Sequence, residues 1–388
     1  MDHRVEYAGD LDGRGRGDIV SGTNGIKPVG YFDCPGGGQV VVSGSTAYIA
    51  HMAAPHGTTI VDVSDPKNPR KLAEVTIPTG IHSHKVRAVD GVMLVNREPL
   101  QGKTRGPEAR SGLGIYDVSD PSKPREIMLW ECGGVHRFTF DGRYAYLSPV
   151  IEGYRGNIVM ILDLKDPSRP EEVGRWWMPG QWIAGGETPT WKGTDHRCHH
   201  PMRLGNRLYT SYWHGGFVIL DIEDMGKPRF VSGLDWSPPF PWPTHTTLPI
   251  PFPLMGRRVL LVADEDVARL GPASSSFLWV VDITDETKPT PFASFQVEGI
   301  DGSPIADYTG CHQPVEQVRG TEIPVAWFAH GLRIVEIKNP HAPREVASFM
   351  PPVPEGADRV CSNDVFVDDR ALIYLIDRKR GLHILERG

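Results

Sequence analysis

Histidines crowd the stretch Thr194–Asn206, TDHRCHHPMRLGN, where His196, His199 and His200 flank Cys198 just ahead of an alternating run. Similar settings recur along the chain: His82 and His84 in IHSHK, His136 in GVHR, His245 in PTHTT and His312 in GCHQ. Neutral imidazole is the commonest protein ligand for zinc, copper, iron and nickel, and it also carries protons near neutral pH. Three or four such rings meeting at one point would hold a transition-metal ion. The same rings left apart would be ordinary polar residues. Which holds depends on the elements that carry them.

Those elements repeat. The motif reads GTTIVDVSDPKNPRKLAEV from Gly57, GLGIYDVSDPSKPREIMLW from Gly112 and NIVMILDLKDPSRPEEVGRW from Asn157. It returns as GFVILDIEDMGKPRFVSGL from Gly216, FLWVVDITDETKPTPFASF from Phe277 and GLRIVEIKNPHAPREVASF from Gly331, and a truncated copy, GLHILERG, begins at Gly381. The acidic residue of each copy falls at Asp62, Asp117, Asp163, Asp221, Asp282, Glu336 and Glu386. A period near 50 residues built from strands predicts a β-propeller. In each copy an apolar strand meets a turn whose proline cannot donate to a ladder and so stops the strand. Two further alternating runs precede each copy, joined by Asp90-Gly91, Asp141-Gly142 or Gly205-Asn206, and such pairs favour tight hairpins. Each unit is therefore four antiparallel strands, A to D outward from the axis. The chain ends before the seventh strand D. The segment Lys27–Asp33, KPVGYFD, resembles a strand D and is expected to complete the last blade, closing the ring and removing exposed edges. The predicted fold is all-β: one seven-bladed propeller over residues 27–388, after an extension of residues 1–26.

The IVDVSDPxxP units resemble the LVIVD repeat of bacterial seven-bladed propellers. The resemblance runs over about residues 27–388 and implies the fold, whereas propellers host many unrelated functions.

Composition narrows the classes. Gly (43) and Pro (35) make up about a fifth of 388 residues, a density of breakers that helices do not tolerate. A net charge of −7 without a basic block argues against nucleic acid. No apolar run is long enough for a membrane-spanning helix, and the first twenty residues contain no apolar leader core. Five cysteines without a CxxC pair read as reduced thiols, hence a cytoplasmic protein. They fall in D–A connections or just before strand A, where small buried packing residues are the plain reading.

Strand direction sorts the connections. The A–B and C–D turns lie on one face (the bottom) and are short. The B–C and D–A connections lie on the top and are long, including Trp176–Asp195, Leu234–Thr244, Val297–Gly310, Pro351–Val360 and Glu98–Ser111. Long loops on a rigid scaffold are where function concentrates. Their tryptophans, among them Trp182 and Trp242, either pack the loops onto the blades or wall an apolar pocket.

Each strand A starts at the top beside the axis, and five of these starts carry a histidine. The candidate ligands are His84, His136, His200, His245 and His312, four of them binding and one standing behind; His199 is the reserve. His136 and His200 lie five residues before their A–B turn, His84 and His199 six, so adjacent strand residues must either face opposite ways or an irregular strand start must shift one register. Strand B ends on the same face, with His51, Glu98, His214, Asp264, Glu265 and His330. Glu98 and Glu265 could orient imidazoles or act as acid or base. Arg137 (with Arg87 and Arg197) could clamp a carboxylate, the alternative being that Arg87 and Arg137 simply alternate outward, and Tyr154 in EGYRG could serve from a top loop.

The resulting expectation is a metal-dependent enzyme with iron, manganese or copper favoured and zinc possible, acting oxidatively on a small aromatic or apolar molecule. A metal-assisted lyase or hydrolase is the second possibility, and a non-catalytic propeller that binds a ligand or protein on its top face is the third. An axial all-histidine site is similar, by analogy alone, to the four-histidine centre of carotenoid-cleaving oxygenases and to the selenium-binding protein/methanethiol oxidase group. No residue role is taken from either family.

Overall fold

The computed structural model describes residues 23–100, 102–104, 106, 108–191, 196–266, 276–297 and 308–388. The N-terminal extension up to residue 22, and parts of the loops Glu98–Ser111, Trp176–Asp195 and Val297–Gly310, lie outside the described residues.

The alternating runs are strands and the breaker clusters are turns. Among the described residues they form seven four-stranded antiparallel blades, beginning with Gly37–Ser43, Thr46–His51, His56–Asp62 and Arg70–Thr76. Strand A of blades 2 to 7 is Val86–Val89, Val135–Phe140, His196–Leu204, Thr244–Pro249, Gln313–Pro314 and Ser362–Val367. Blades 4 and 5 are joined into one eight-stranded sheet where Trp213 pairs with Thr244. Blade 2 carries an added pair, Ile81–His82 against Glu98–Pro99. No described helix is long and apolar enough to cross a membrane.

The N-terminal strand Ile26–Pro35 pairs antiparallel with Arg380–Arg387 and supplies strand D of blade 7. Arg380–Arg387 is thereby paired on both sides, and the ladder of that blade ends only at its innermost and outermost strands.

Burial falls outward. Strand Tyr144–Pro149 is buried at five of six positions, while Arg70–Thr76 at the outer edge has no buried residue. The core consists of seams between neighbouring blades. Val40, Ala47 and Ile49 of blade 1 pack with Ile376, Leu382 and Ile384 of blade 7, which closes the ring through its hydrophobic contacts as well as its ladder.

The repeated acidic residue has a local task. Its carboxylate accepts the backbone N–H two residues on, at 2.9 Å for Asp62 and Ser64 and 2.9 Å for Asp221 and Glu223. These Asx turns start the bend that the proline completes. Arg70 and Arg229 reach back to the same carboxylates from strand D at 2.7 and 2.9 Å.

Candidate metal centre

Strand A breaks its pairing beside the axis in five blades. In blade 3, Val135 pairs with Pro149 but Phe138 with Leu147, so the A strand holds one residue too many. The same extra residue occurs between Thr244 and Thr246, between Gly37 and Gln39, and between Ser362 and Asp364. Blade 4 spends four steps, His196 to His200, against two on its partner, Trp213 to Ser211. Such β-bulges bend a strand and re-aim its side chains. Here they turn two successive residues toward the channel. The upper position holds Gly38, His84, His136, His199, His245, His312 and Asn363 in blade order. The lower holds Gln39, Lys85, Arg137, His200, Thr246, Gln313 and Asp364.

The upper imidazoles form a continuous arc. Ring centroids lie 5.0 Å apart for His84 and His136, 4.7 Å for His136 and His199, 4.7 Å for His199 and His245, and 4.1 Å for His245 and His312. His82, ahead of strand A in blade 2, stacks on His84 at 3.9 Å.

Hydrogen bonding fixes the tautomers. His199 Nδ1 lies 2.8 Å from the carbonyl oxygen of His245, and His312 Nδ1 lies 2.5 Å from that of Asn363. A carbonyl oxygen only accepts, so both rings carry their proton on Nδ1. His136 Nδ1 donates to Glu98 Oε2 at 2.8 Å. His245 Nδ1 meets Thr246 Oγ1 at 2.9 Å, and that hydroxyl gives its own proton to Gln313 Oε1 at 3.1 Å. All four Nε2 atoms are therefore bare electron pairs. His136 and His199 point theirs at each other across 3.0 Å. His312 Nε2 faces Glu265 Oε1 at 3.3 Å, and His245 Nε2 lies 3.8 Å from Glu265 Oε2. Electron pairs so arranged repel unless a cation sits among them. A separation of about 3 Å is what two adjacent nitrogen ligands show at about 2.1 Å from one ion. The donor set fits a metal: His199, His245 and Glu265 offer ligand atoms within 4.8 Å of one another, as do His82, His84 and Glu98. His84 differs in tautomer, for the Asn96 side-chain amide approaches its Nδ1 at 3.3 Å.

Burial holds these rings neutral. It drives His84, His199 and His245 well below the usual histidine value, His136 lower as well, and His82 and His312 down to about 4. Both glutamates are ionised. Burial pushes Glu265 upward, yet its carboxyl is held at about 2 with the Arg378 guanidinium 3.7 Å from Oε1; Glu98 is lowered against the same penalty by His136, whose N–H it accepts. Ionised carboxylates that accept from or face ligating imidazoles are the usual support of a metal site.

Arg137 lies under the arc, buried to 1 % exposure, and is not on an outward face. Its Nη1 donates to His245 Nε2 at 2.9 Å and to Gln313 Oε1 at 2.7 Å, so an ion at His245 competes with the guanidinium. His200 belongs to the lower position: its Nδ1 lies 3.4 Å from Thr246 Oγ1 and its Nε2 3.6 Å from Glu316 Oε1. It is His199 that stands in the arc between His136 and His245. Arg87 pairs with Glu316. Lys85, Arg137, His200 and Asp364 plug the channel below the arc. Beneath them it opens as a cavity of about 220 Å³ lined by Gln39, Arg87, Thr139, Glu316 and Asp364. Tyr154 packs not with the imidazoles of the arc but in an aromatic group with Trp177 and Trp182, at 5.2 and 6.5 Å. All five cysteines are unpaired, and four are buried.

Several participants escaped the sequence reading. Trp213 packs on His199 at 4.8 Å and Phe328 on His312 at 4.3 Å. Both close strand B with positive φ, 55° and 35°, a region that bulky side chains avoid and that marks held strain. The similar spellings YWHGG and WFAHG signalled this turn, and each carries a glycine at positive φ, Gly216 and Gly331. Arg197 lies over Trp213 at 4.3 Å, and Arg378 over Phe328 at 5.1 Å.

Residues 37–76 and 109–129 match the LVIVD repeat family. The two LVIVD segments cover all of blade 1 and the outer strands of blade 2. No curated protein sequence matches the chain. Among solved structures the chain is similar to a streptogramin B lyase, with TM-score 0.56 and 11% identity over 94% of this chain and 98% of that one. The WD40 β-propeller domain of Doa1 gives TM-score 0.56 and 9% identity over 94% and 98%. Sqt1 of Saccharomyces cerevisiae gives 0.54 and 9% over 91% and 83%. At such identities these likenesses concern the propeller fold. The likeness to selenium-binding proteins and four-histidine oxygenases rests on the sequence reading alone.

Proposed function

We propose that the protein is a metal-dependent enzyme whose ion is held on the propeller axis by His136, His199, His245 and His312 with Glu265 beside them. One observation carries this reading: the bare Nε2 atoms of His136 and His199 face each other at 3.0 Å while both Nδ1 protons are committed elsewhere. Bound there, an ion with mostly neutral ligands keeps its positive charge, acts as a Lewis acid and, if iron, copper or manganese, exchanges electrons.

The chain's own residues supply the rest. Glu98 holds the His136 ring and, at 23 % side-chain exposure, meets the top face, where it is placed to take or return a proton. Trp213 and Phe328 cover the arc with apolar rings, which supports a small aromatic or apolar substrate. Arg197 and Arg378 add positive charge at that rim. The plug of Lys85, Arg137 and Asp364 closes the channel below, so exchange runs through the top. Unpaired cysteines support a cytoplasmic setting.

Oxidation is the leading reaction class, since imidazole-rich sets suit redox metals. A metal-assisted lyase is the second reading, and the ion's identity separates the two. Untagged protein, purified without chelator and analysed for metals, is expected to carry at least one equivalent of iron, copper or manganese. Zinc in that place supports the lyase. Failure of chelator-treated protein to bind any of Fe²⁺, Cu²⁺, Mn²⁺ or Zn²⁺ overturns the proposal.

A further inference from the structure

We infer that the arc holds two cations rather than one. The second sits at His82, His84 and Glu98, beyond the ion proposed above, and this inference rests on that reading. Six imidazoles and two glutamates line the arc, but one ion cannot reach them all. Donors to a single ion at about 2.1 Å lie within about 4 Å of one another. The rings instead run from His82 to His312 in five successive contacts of 3.9 to 5.0 Å. The donors fall into two separate groups of two histidines and one glutamate, each within 4.8 Å, so that each group need close by only about 1 Å around an ion.

Both groups are built alike. Each glutamate ends or follows a strand B, Glu98 in blade 2 and Glu265 in blade 5. Each faces two imidazoles: Glu98 lies 3.9 Å from His82 Nδ1 and 2.8 Å from His136 Nδ1, and Glu265 lies 3.8 Å from His245 Nε2 and 3.3 Å from His312 Nε2. His82 Nε2 is a buried nitrogen with no hydrogen-bond partner, an atom that calls for a proton or an ion. Glu98 engages His136 through Oε2, and the cation would be held by Oε1.

The two positions differ in access. His82 and Glu98 are 16 % and 23 % exposed, against 3 % and 7 % for His245 and Glu265. The outer ion is therefore the one that meets solvent and substrate. It is also the weaker bound, because loading must displace the 3.3 Å contact of Asn96 on His84. Two histidines and one carboxylate leave open positions and suit a divalent transition ion.

The test is stoichiometry. Chelator-treated protein is titrated with Co²⁺, followed by its visible absorption, and metal is counted by elemental analysis after gel filtration. Two equivalents with distinct spectra and affinities are expected, falling to the tighter one alone in His82→Ala. Circular dichroism and melting establish that the variant is folded; if it is not, the two-step titration of the unaltered protein decides. A single equivalent, or two equivalents retained in folded His82→Ala, overturns the second site and leaves the proposed function standing. No cobalt bound at all sinks both.

Discussion

His136 Nε2 and His199 Nε2 stand 3.0 Å apart, and neither has a proton to offer the other. Glu98 takes the second proton of one ring and the His245 carbonyl that of the other. This pair and its two partners tie four neighbouring blades to a single point, and the ligand assignment turns on it.

His199→Ala is expected to lose the tightly held ion, and His200→Ala to keep it. Both residues are buried neighbours, so each variant loses roughly 1–3 kcal/mol of stability. Metal content at equal folded concentration separates a donor from a packing residue. Retention of full metal in His199→Ala, with loss in His200→Ala, would reverse the assignment.

Glu98→Gln keeps the shape of the side chain but removes the charge that holds the His136 Nδ1–H. Removing such a partner weakens metal binding about 10–100-fold. Competition against a chromophoric chelator measures it. An unchanged affinity would make Glu98 a bystander.

How much of this was written in the sequence differs between the scaffold and its centre. The D-P-x-x-P turns, the Asp-Gly hairpins and the KPVGYFD strand each act through local chemistry, so the blades and the closure of the ring were legible. The arc was legible in outline, because strand starts of a propeller must meet at the axis. The choice between His199 and His200 was not. It hangs on extra residues in a bulge, which strict alternation cannot count. Arg137 was open to an outward reading for the same reason. The lower position was hidden altogether: Lys85, Arg137, Thr246 and Asp364 share no residue type that would announce a layer. Tyr154 shows the converse, a residue of suitable chemistry on the correct face that the loop path carries into an aromatic cluster.

Acid should destabilise the metal-free protein, partly through His383. This ring is buried in blade 7 between Tyr31 and Phe349, at 5.0 and 5.4 Å, and burial pushes it down to about 4. An unfolded histidine titrates near 6.5. Between these values the unfolded chain binds a proton that the folded chain refuses, so stability is lost as pH falls through that window. The difference corresponds to roughly 3 kcal/mol at most. His383→Phe removes it. Melting curves of chelator-treated protein between pH 7 and 4.5 should show a shallower fall for the variant, and parallel slopes would contradict the assignment.

Deleting residues 1–35 strips Ile26–Pro35 from Arg380–Arg387 and leaves that strand as a bare edge beside the seam of blades 7 and 1. Exposed edges of this kind recruit other chains. The expected result is aggregation on size-exclusion chromatography, or a melting point lower by about 10 °C or more. A monomer of unchanged melting point would mean that the ring holds without its clasp.

The bulges have a further consequence. Each is an affair of one hairpin, and the inner positions are seven slots on a common frame, five of them set by a bulge. Five consecutive slots hold imidazoles, and Asn363 and Gly38 interrupt the round. A side chain at Gly38 would press its first carbon to 2.5 Å from His84 Cβ, and Asn363 is bound to the Gly38 carbonyl and to Arg378. The donors thus make a horseshoe and not an annulus. A scaffold of nearly sevenfold symmetry acquires a left and a right at its centre, and anything reacting there is presented with one face of itself rather than seven equivalent choices.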